Sequence, residues 1–226
     1  MQVIMESGFD VVYLVLVITL GFLTIRLARG KKQFLYFGGA AILLGAGDAF
    51  HLIPRMWALI TAGVTNLPQQ AAALGVGKLV TSITMTVFYL ILYHVLKERY
   101  QFNNKRVSRV IYLLAAARIA LCLFPQNEWL SPDAPLSFGI YRNIPFVILG
   151  VLIIALFYAQ AKLHKDRPFR FMWLVITLSF AFYIPVVLFA DSMPMIGMLM
   201  IPKTIAYIWI VVMGFRAARK QAAPVA

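Results

Sequence analysis

The chain has 226 residues, of which 62% are hydrophobic and only 13% charged, with a mean hydropathy of +0.84 and a formal net charge of +13. A water-soluble domain needs a charged surface, so this balance excludes one and points to a chain surrounded by lipid.

Crossing about 30 Å of hydrocarbon takes roughly 20 apolar residues in a helix. Seven stretches have that character: 11–28, 34–61, 71–96, 107–124, 139–162, 170–190 and 195–215. Backbone polar groups must be satisfied internally in lipid, and these runs lack the alternation of a barrel strand, so they are expected to be helices. The fold class is therefore an all-α integral membrane protein, a seven-transmembrane-helix bundle filling residues 1–226 as one domain.

The first helix follows an acidic flank, MQVIMESGFD, with no small-residue cleavage site after the apolar run, so it is expected to be a retained span. The second contains GDAFHLIPR, residues 47–55. Its Asp48, His51 and Arg55 are spaced by three and four and so share one helix face. Pro54 lacks an N–H and leaves the Phe50 carbonyl without its usual partner. The third helix carries Lys78, then Thr81, Ser82 and Thr86. The fourth holds Arg118 and Cys122, the only cysteine, which rules out an intramolecular disulfide. Between helices 4 and 5, PQNEWLSPDAPLSF (125–138) has Trp129 and three prolines, the makings of a semi-rigid cover. Helix 5 opens on YRNIPF, with Tyr141, Arg142 and Asn143 in its first turn. Helix 7 opens on IPKTIAY, placing Lys203 and Tyr207 one turn apart beside Thr204. Pro145, Pro185 and Pro202 interrupt helices 5, 6 and 7 at depths comparable to Pro54 in helix 2, which is expected to open the bundle toward that end.

Charge placement argues against nucleic acid as the reason for the net +13. Sixteen of the 21 Lys and Arg fall in four groups: 26–32, 97–109, 162–170 and 216–220. These are alternate connections plus the C-terminal segment. The other connections and the N-terminal flank carry Glu6, Asp10, Glu128, Asp133 and Asp191 and no Lys or Arg. By the positive-inside rule the N-terminus is expected outside and the C-terminus in the cytoplasm of a bacterial-type plasma membrane. The basic groups are expected to face anionic headgroups, with membrane lipids as partners.

Five cations remain: Arg55, Lys78, Arg118, Arg142 and Lys203, all in the outer halves of helices. A cation in hydrocarbon costs several kcal/mol, so those not snorkelling to headgroups should face the bundle interior or a wet cavity. Arg55 and Arg142 lie near helix ends and can snorkel. Lys78, Arg118 and Lys203 are deeper. The expected ligand-binding set is Asp48, His51, Arg55, Lys78, Arg118, Tyr141, Arg142, Asn143, Lys203 and Tyr207. Against this stands a plainer reading in which Asp48 is a structural ion pair and His51 an interhelical tie. No metal is expected, because zinc wants three or four His, Cys or carboxylate ligands and the outer half offers one histidine and one buried aspartate. No nucleophile elbow or Gly-rich phosphate loop is present, and no cofactor is expected.

Three functions fit. The first is binding or transport of a small anionic or lipid-like ligand in an outward-facing electropositive pocket. The second is an intramembrane lipid-modifying enzyme, with Asp48 or His51 as general acid/base. Over eight residues GDAFHLIP resembles the glycine–aspartate segment, ending in leucine–x–proline, of lysoplasmalogenase-like membrane hydrolases. No second aspartate matches in the later helices, so no residue role is carried over. The third follows from resemblance to rhodopsins: seven helices, an outer N-terminus, a lysine in helix 7, and FYIPVV (182–187) in helix 6. That resemblance implies a retinal Schiff base on Lys203. The chain departs from the pattern at Leu199, one turn before the lysine, where an aspartate is usual, at Thr204 after it, and in helix 3, which lacks a carboxylate counter-ion.

Overall fold

The computed structural model describes residues 2–62, 71–190 and 192–223. Seven α-helices occupy them: α1 (Gln2–Leu27), α2 (Lys32–Ala62), α3 (Ala71–Tyr100), α4 (Lys105–Leu123), α5 (Leu136–Leu163), α6 (Met172–Phe189) and α7 (Met200–Ala222). Two short 3-10 turns, Pro125–Asn127 and Pro194–Leu199, precede α5 and α7. Six of the seven helices are long and apolar enough to cross a membrane, which makes this a multi-pass helical membrane protein. The exception, α4, has 19 residues, among them Lys105, Arg106, Arg109 and Arg118. The expected Asp191 and most of the connection 62–70 lie outside the described residues.

Local chemistry sets the helix ends at the basic side. Asn104 starts α4 by accepting from the backbone N–H groups of Arg106 and Val107 at 3.0 and 3.2 Å. The exits of α3 and α5 use left-handed residues, Gln101 (φ 52°) and Lys165 (φ 48°). The following amides, of Phe102 and Asp166, then reach back to the carbonyls of Lys97 and Ala161 at 3.1 and 2.9 Å.

Each helix packs on its successor, and α7 closes the ring against α1. One apolar core runs through all seven. Lipid supplies no hydrophobic drive between helices, so close approach through small residues carries the packing. On α1 and α2, a Cβ added at Gly21 would lie 3.0 Å from the Gly38 carbonyl oxygen, and one at Gly45 would press on Ile18. Between α2 and α3, a Cβ at Gly77 would meet the Phe50 oxygen at 2.5 Å and the His51 Cα at 2.7 Å. Thr81 adds a hydrogen bond to the Gly47 carbonyl at 3.1 Å.

Burial is uneven along the bundle. In α6 the buried residues are Met172, Val175, Ile176, Ser179 and Phe180, all before Pro185. In α3 they are dense from Met85 to Tyr100 and sparse before it. The half nearer the basic groups is tight and the opposite half, the far half below, is looser.

The basic end is tied by Asp166, the one acid in the 162–170 group. Arg99 grips both its carboxylate oxygens, Tyr100 donates to it at 2.7 Å, and the remaining Arg99 nitrogen reaches Gln33 at 3.3 Å. The Arg99 guanidinium also lies 4.2 Å from the Phe169 ring centre. Partial burial raises the Asp166 pKa, but the hydrogen bonds from Arg99 and Tyr100 and the charge of Arg99 outweigh it and hold the carboxyl below its ordinary range.

Two outcomes follow. Gly77→Ala should destabilise the protein in detergent by about 1–3 kcal/mol, because the new methyl meets backbone atoms that cannot yield. Gly39→Ala, with open space at its Cβ, should be neutral or mildly stabilising in thermal unfolding. The Asp166 cluster stabilises in full above about pH 4, where an unfolded aspartate is ionised, and its contribution is lost as pH falls through the lower folded value. Asp166→Asn should therefore lower the melting temperature at neutral pH and flatten its decline below pH 4.

Candidate functional site

The polar residues of the far half divide into three groups. The central group joins all seven helices. From α1, Tyr13 donates to the Asp48 carboxylate of α2 at 2.5 Å. Asp48 lies within electrostatic reach of Lys203 on α7. Lys203 is 8% exposed, with its ammonium 4.6 Å from the ring centre of Tyr183 on α6 and 5.3 Å from that of Tyr207. Tyr183 donates to Asn143 of α5 at 3.0 Å, and Asn143 in turn donates to the Gly139 carbonyl at 2.8 Å. Tyr207 shares a hydrogen bond with Tyr89 of α3, which shares another, of 3.2 Å, with Ser179 of α6.

Arg118 of α4 completes this group. It is 2% exposed, the largest fully buried side chain among the described residues. Its guanidinium carbon sits 3.3 Å over the centre of the Phe146 ring, a cation–π contact. Phe146 belongs to an aromatic cluster with Tyr89 and Phe180, ring centres 5.0–5.4 Å apart. Nε and Nη1 of Arg118 have no hydrogen-bond partner, and the neighbouring charge is that of Lys203, which repels it. Asp48, Arg118, Asn143, Lys203 and Tyr207 of the expected set thus come together.

The second group caps the far end of α4. Asn127, 1% exposed, donates through Nδ2 to the carbonyls of Leu121, Cys122 and Phe124 at 2.7, 3.3 and 2.8 Å. These are the carbonyls at the end of α4 and at its C-cap, where the regular helix pattern supplies too few donors. Asn127 then accepts from Arg142 at 2.8 Å. The Arg142 guanidinium lies 4.2 Å from the Trp129 ring, and Trp129 donates to the Cys122 carbonyl at 2.9 Å. The connection 125–138 is therefore bound down over Cys122, beside Arg118. Arg142 does not snorkel freely; it is part of this latch.

The third group lies between α2 and α3. His51 is half-buried against the Leu74 backbone, near Lys78 and Arg55, and its Nδ1 has no partner. Lys78 is exposed instead of buried. It lies eleven residues before Tyr89, so on nearly the same side of α3, but at a level where that face is no longer covered. Tyr141 is 52% exposed and packs on Phe138 at 5.7 Å, outside the central group.

Sequence reasoning gave no role to Tyr13, Tyr89 or Tyr183 and passed over Ser179 as a lone hydroxyl. For Tyr89 the signal available was depth, since tyrosines favour the membrane interface and it lies well inside α3. Comparison with protein-family models, with curated proteins and with solved structures finds no match to this chain.

Asn127→Ala should cost about 2 kcal/mol in thermal unfolding, since several buried partners lose their bonds at once. Tyr141→Ala should stay within about 0.5 kcal/mol.

Proposed function

We propose that the protein binds or transports a small anionic or lipid-like ligand in an electropositive pocket that opens from the far end of the bundle. That end is proposed to face outward from the plasma membrane, with the N-terminus outside and the basic end in the cytoplasm, on the charge asymmetry of the connections. The observation that carries the reading is Arg118: a permanently charged group, buried in the bundle, with two nitrogens lacking acceptors and a second cation as its neighbour. Such a group calls for an anion, because charge-assisted bonds to a carboxylate or phosphate offset what burial removes.

Charge placement supports it. Of the acids that share this end with Arg55, Lys78, Arg118, Arg142 and Lys203, Glu128 and Asp133 are exposed, while Arg118 is buried with Nε and Nη1 unpartnered. Asp48, held by Tyr13, orients Lys203 and keeps the empty site from being wholly cationic. The sparse burial beyond Pro185 and before Met85 supports access from that side, as does the exposure of Lys78 on the inner face of α3. His51, Arg55, Arg142 and Tyr141 are assigned to the mouth.

The test compares wild type with Arg118→Met, purified in mild detergent. Solvent extraction and mass spectrometry identify co-purifying anions, and thermal shift is measured with laurate and with inorganic phosphate as probes. Wild type should retain an anionic species or be stabilised by one probe. Arg118→Met should lose that response at least tenfold while gaining a few degrees of intrinsic stability, because a buried unpaired charge is gone and a long apolar chain still covers Phe146. Wild type with neither response, or a variant that keeps it, would overturn the reading. Product formation from a panel of membrane lipids, lost in Asp48→Asn, would instead favour an enzyme using Asp48 and His51 as acid and base.

A further inference from the structure

A cleft lies at the basic end, away from the groups above. It has a volume of about 470 Å³ and is lined by Gln33 at the start of α2, Arg99 and Tyr100 at the end of α3, and His164–Pro168 in the connection to α6. We propose that this cleft is a binding site for a phosphate group, carried by the headgroup of an anionic lipid or by a free phosphate ester.

Three features of the cleft converge on that ligand. Its floor is built and neutral: Asp166 is fully engaged by Arg99 and Tyr100, and Arg99 by Asp166 and Gln33, so no unopposed negative charge faces an incoming anion. Its rim is cationic: Lys165 and Arg167 flank Asp166 in sequence, both exposed and neither ion-paired with it. Its walls are held in place. The ring of His164 lies 5.1 Å from that of Tyr100, and His164 meets the Gln160 carbonyl at 3.0 Å, which fixes the end of α5 against α3. Lys165 adopts φ 48°, a conformation normally given to glycine at a helix exit, so a cation is kept where the backbone would favour no side chain. The volume exceeds that of one phosphate ester, and the cleft opens at the level of the helix ends, where headgroups lie. The non-bridging oxygens of a phosphate can accept from Lys165 and Arg167 together.

This site is independent of the interior one, and its test leaves that one untouched. Full-length protein is reconstituted in nanodiscs of phosphatidylcholine containing a minor fraction of phosphatidylglycerol, and the lipids retained on release are counted by native mass spectrometry. In parallel, detergent-purified protein is titrated with glycerol 3-phosphate and followed by thermal shift. Variants are K165Q/R167Q in the cleft and R216Q/R219Q at the end of α7, which remove equal charge from exposed positions. Preference for phosphatidylglycerol should fall about tenfold in the cleft variant and less than twofold in the α7 variant, given roughly tenfold or less per basic residue near a membrane. Stabilisation by glycerol 3-phosphate without a lipid preference, lost in the cleft variant, identifies a free ester as the source. Equal loss in both variants means general surface charge and overturns the site, as does wild type showing neither response.

Discussion

A guanidinium or an ammonium carried from water into hydrocarbon gives up several kcal/mol of hydration, and Arg118 and Lys203 both stand where lipid or packed helix surrounds them. Much of the far half is arranged around that cost. Phe146 offers its ring face to Arg118, Tyr183 and Tyr207 offer theirs to Lys203, and Asp48 supplies a carboxylate anchored by Tyr13. Phe146, Tyr183 and Asp48 come from α5, α6 and α2, and Tyr207 from the next turn of α7 itself. Aromatic rings soften a cation without cancelling it. The charge of Arg118 is thus left partly uncompensated inside the bundle.

The two ends of the molecule handle charge differently. At the basic end, Arg99 and Asp166 form a closed, hydrogen-bonded pair with Tyr100, and the remaining cations, apart from the half-buried Lys97, are exposed. In the far half a cation, Arg118, is sealed in with two nitrogens lacking acceptors. The first arrangement is what a membrane–water boundary permits, because solvent and headgroups screen whatever the protein leaves over. The second survives only where tight packing elsewhere supplies the stability it removes, and the glycine-mediated contacts of α1, α2 and α3 are that packing.

Much of this was legible in the residues. Helix number and position follow from run length and hydropathy, although α1 begins nine residues earlier than its apolar run, because Glu6 and Asp10 are compatible with a helix. The opening of α7 was less so: Pro194–Leu199 winds as a 3-10 turn, and the α-helix starts at Met200. Subtracting the boundary charges from the total isolated Arg118 and Lys203 correctly as interior groups. What no one-dimensional pattern shows is which neighbour covers a given face. Lys78 lies on the inner side of α3 by helical geometry yet is exposed, since coverage at that level depends on how far α6 and α7 stand off. Asn127 was equally invisible, because its role depends on carbonyls five and six residues earlier turning back over it.

The glycine seams have a mechanical consequence. At Gly21 against Gly38, and at Gly77 against Phe50 and His51, main chain meets main chain, so the spacing of α1, α2 and α3 is fixed by backbone geometry. Around α5 and α6 the contacts are made by rings such as Phe146, Phe180 and Tyr183. An added methyl can therefore be absorbed by side-chain rotation on the α5–α6 side, whereas on the α1–α3 side it must displace a helix.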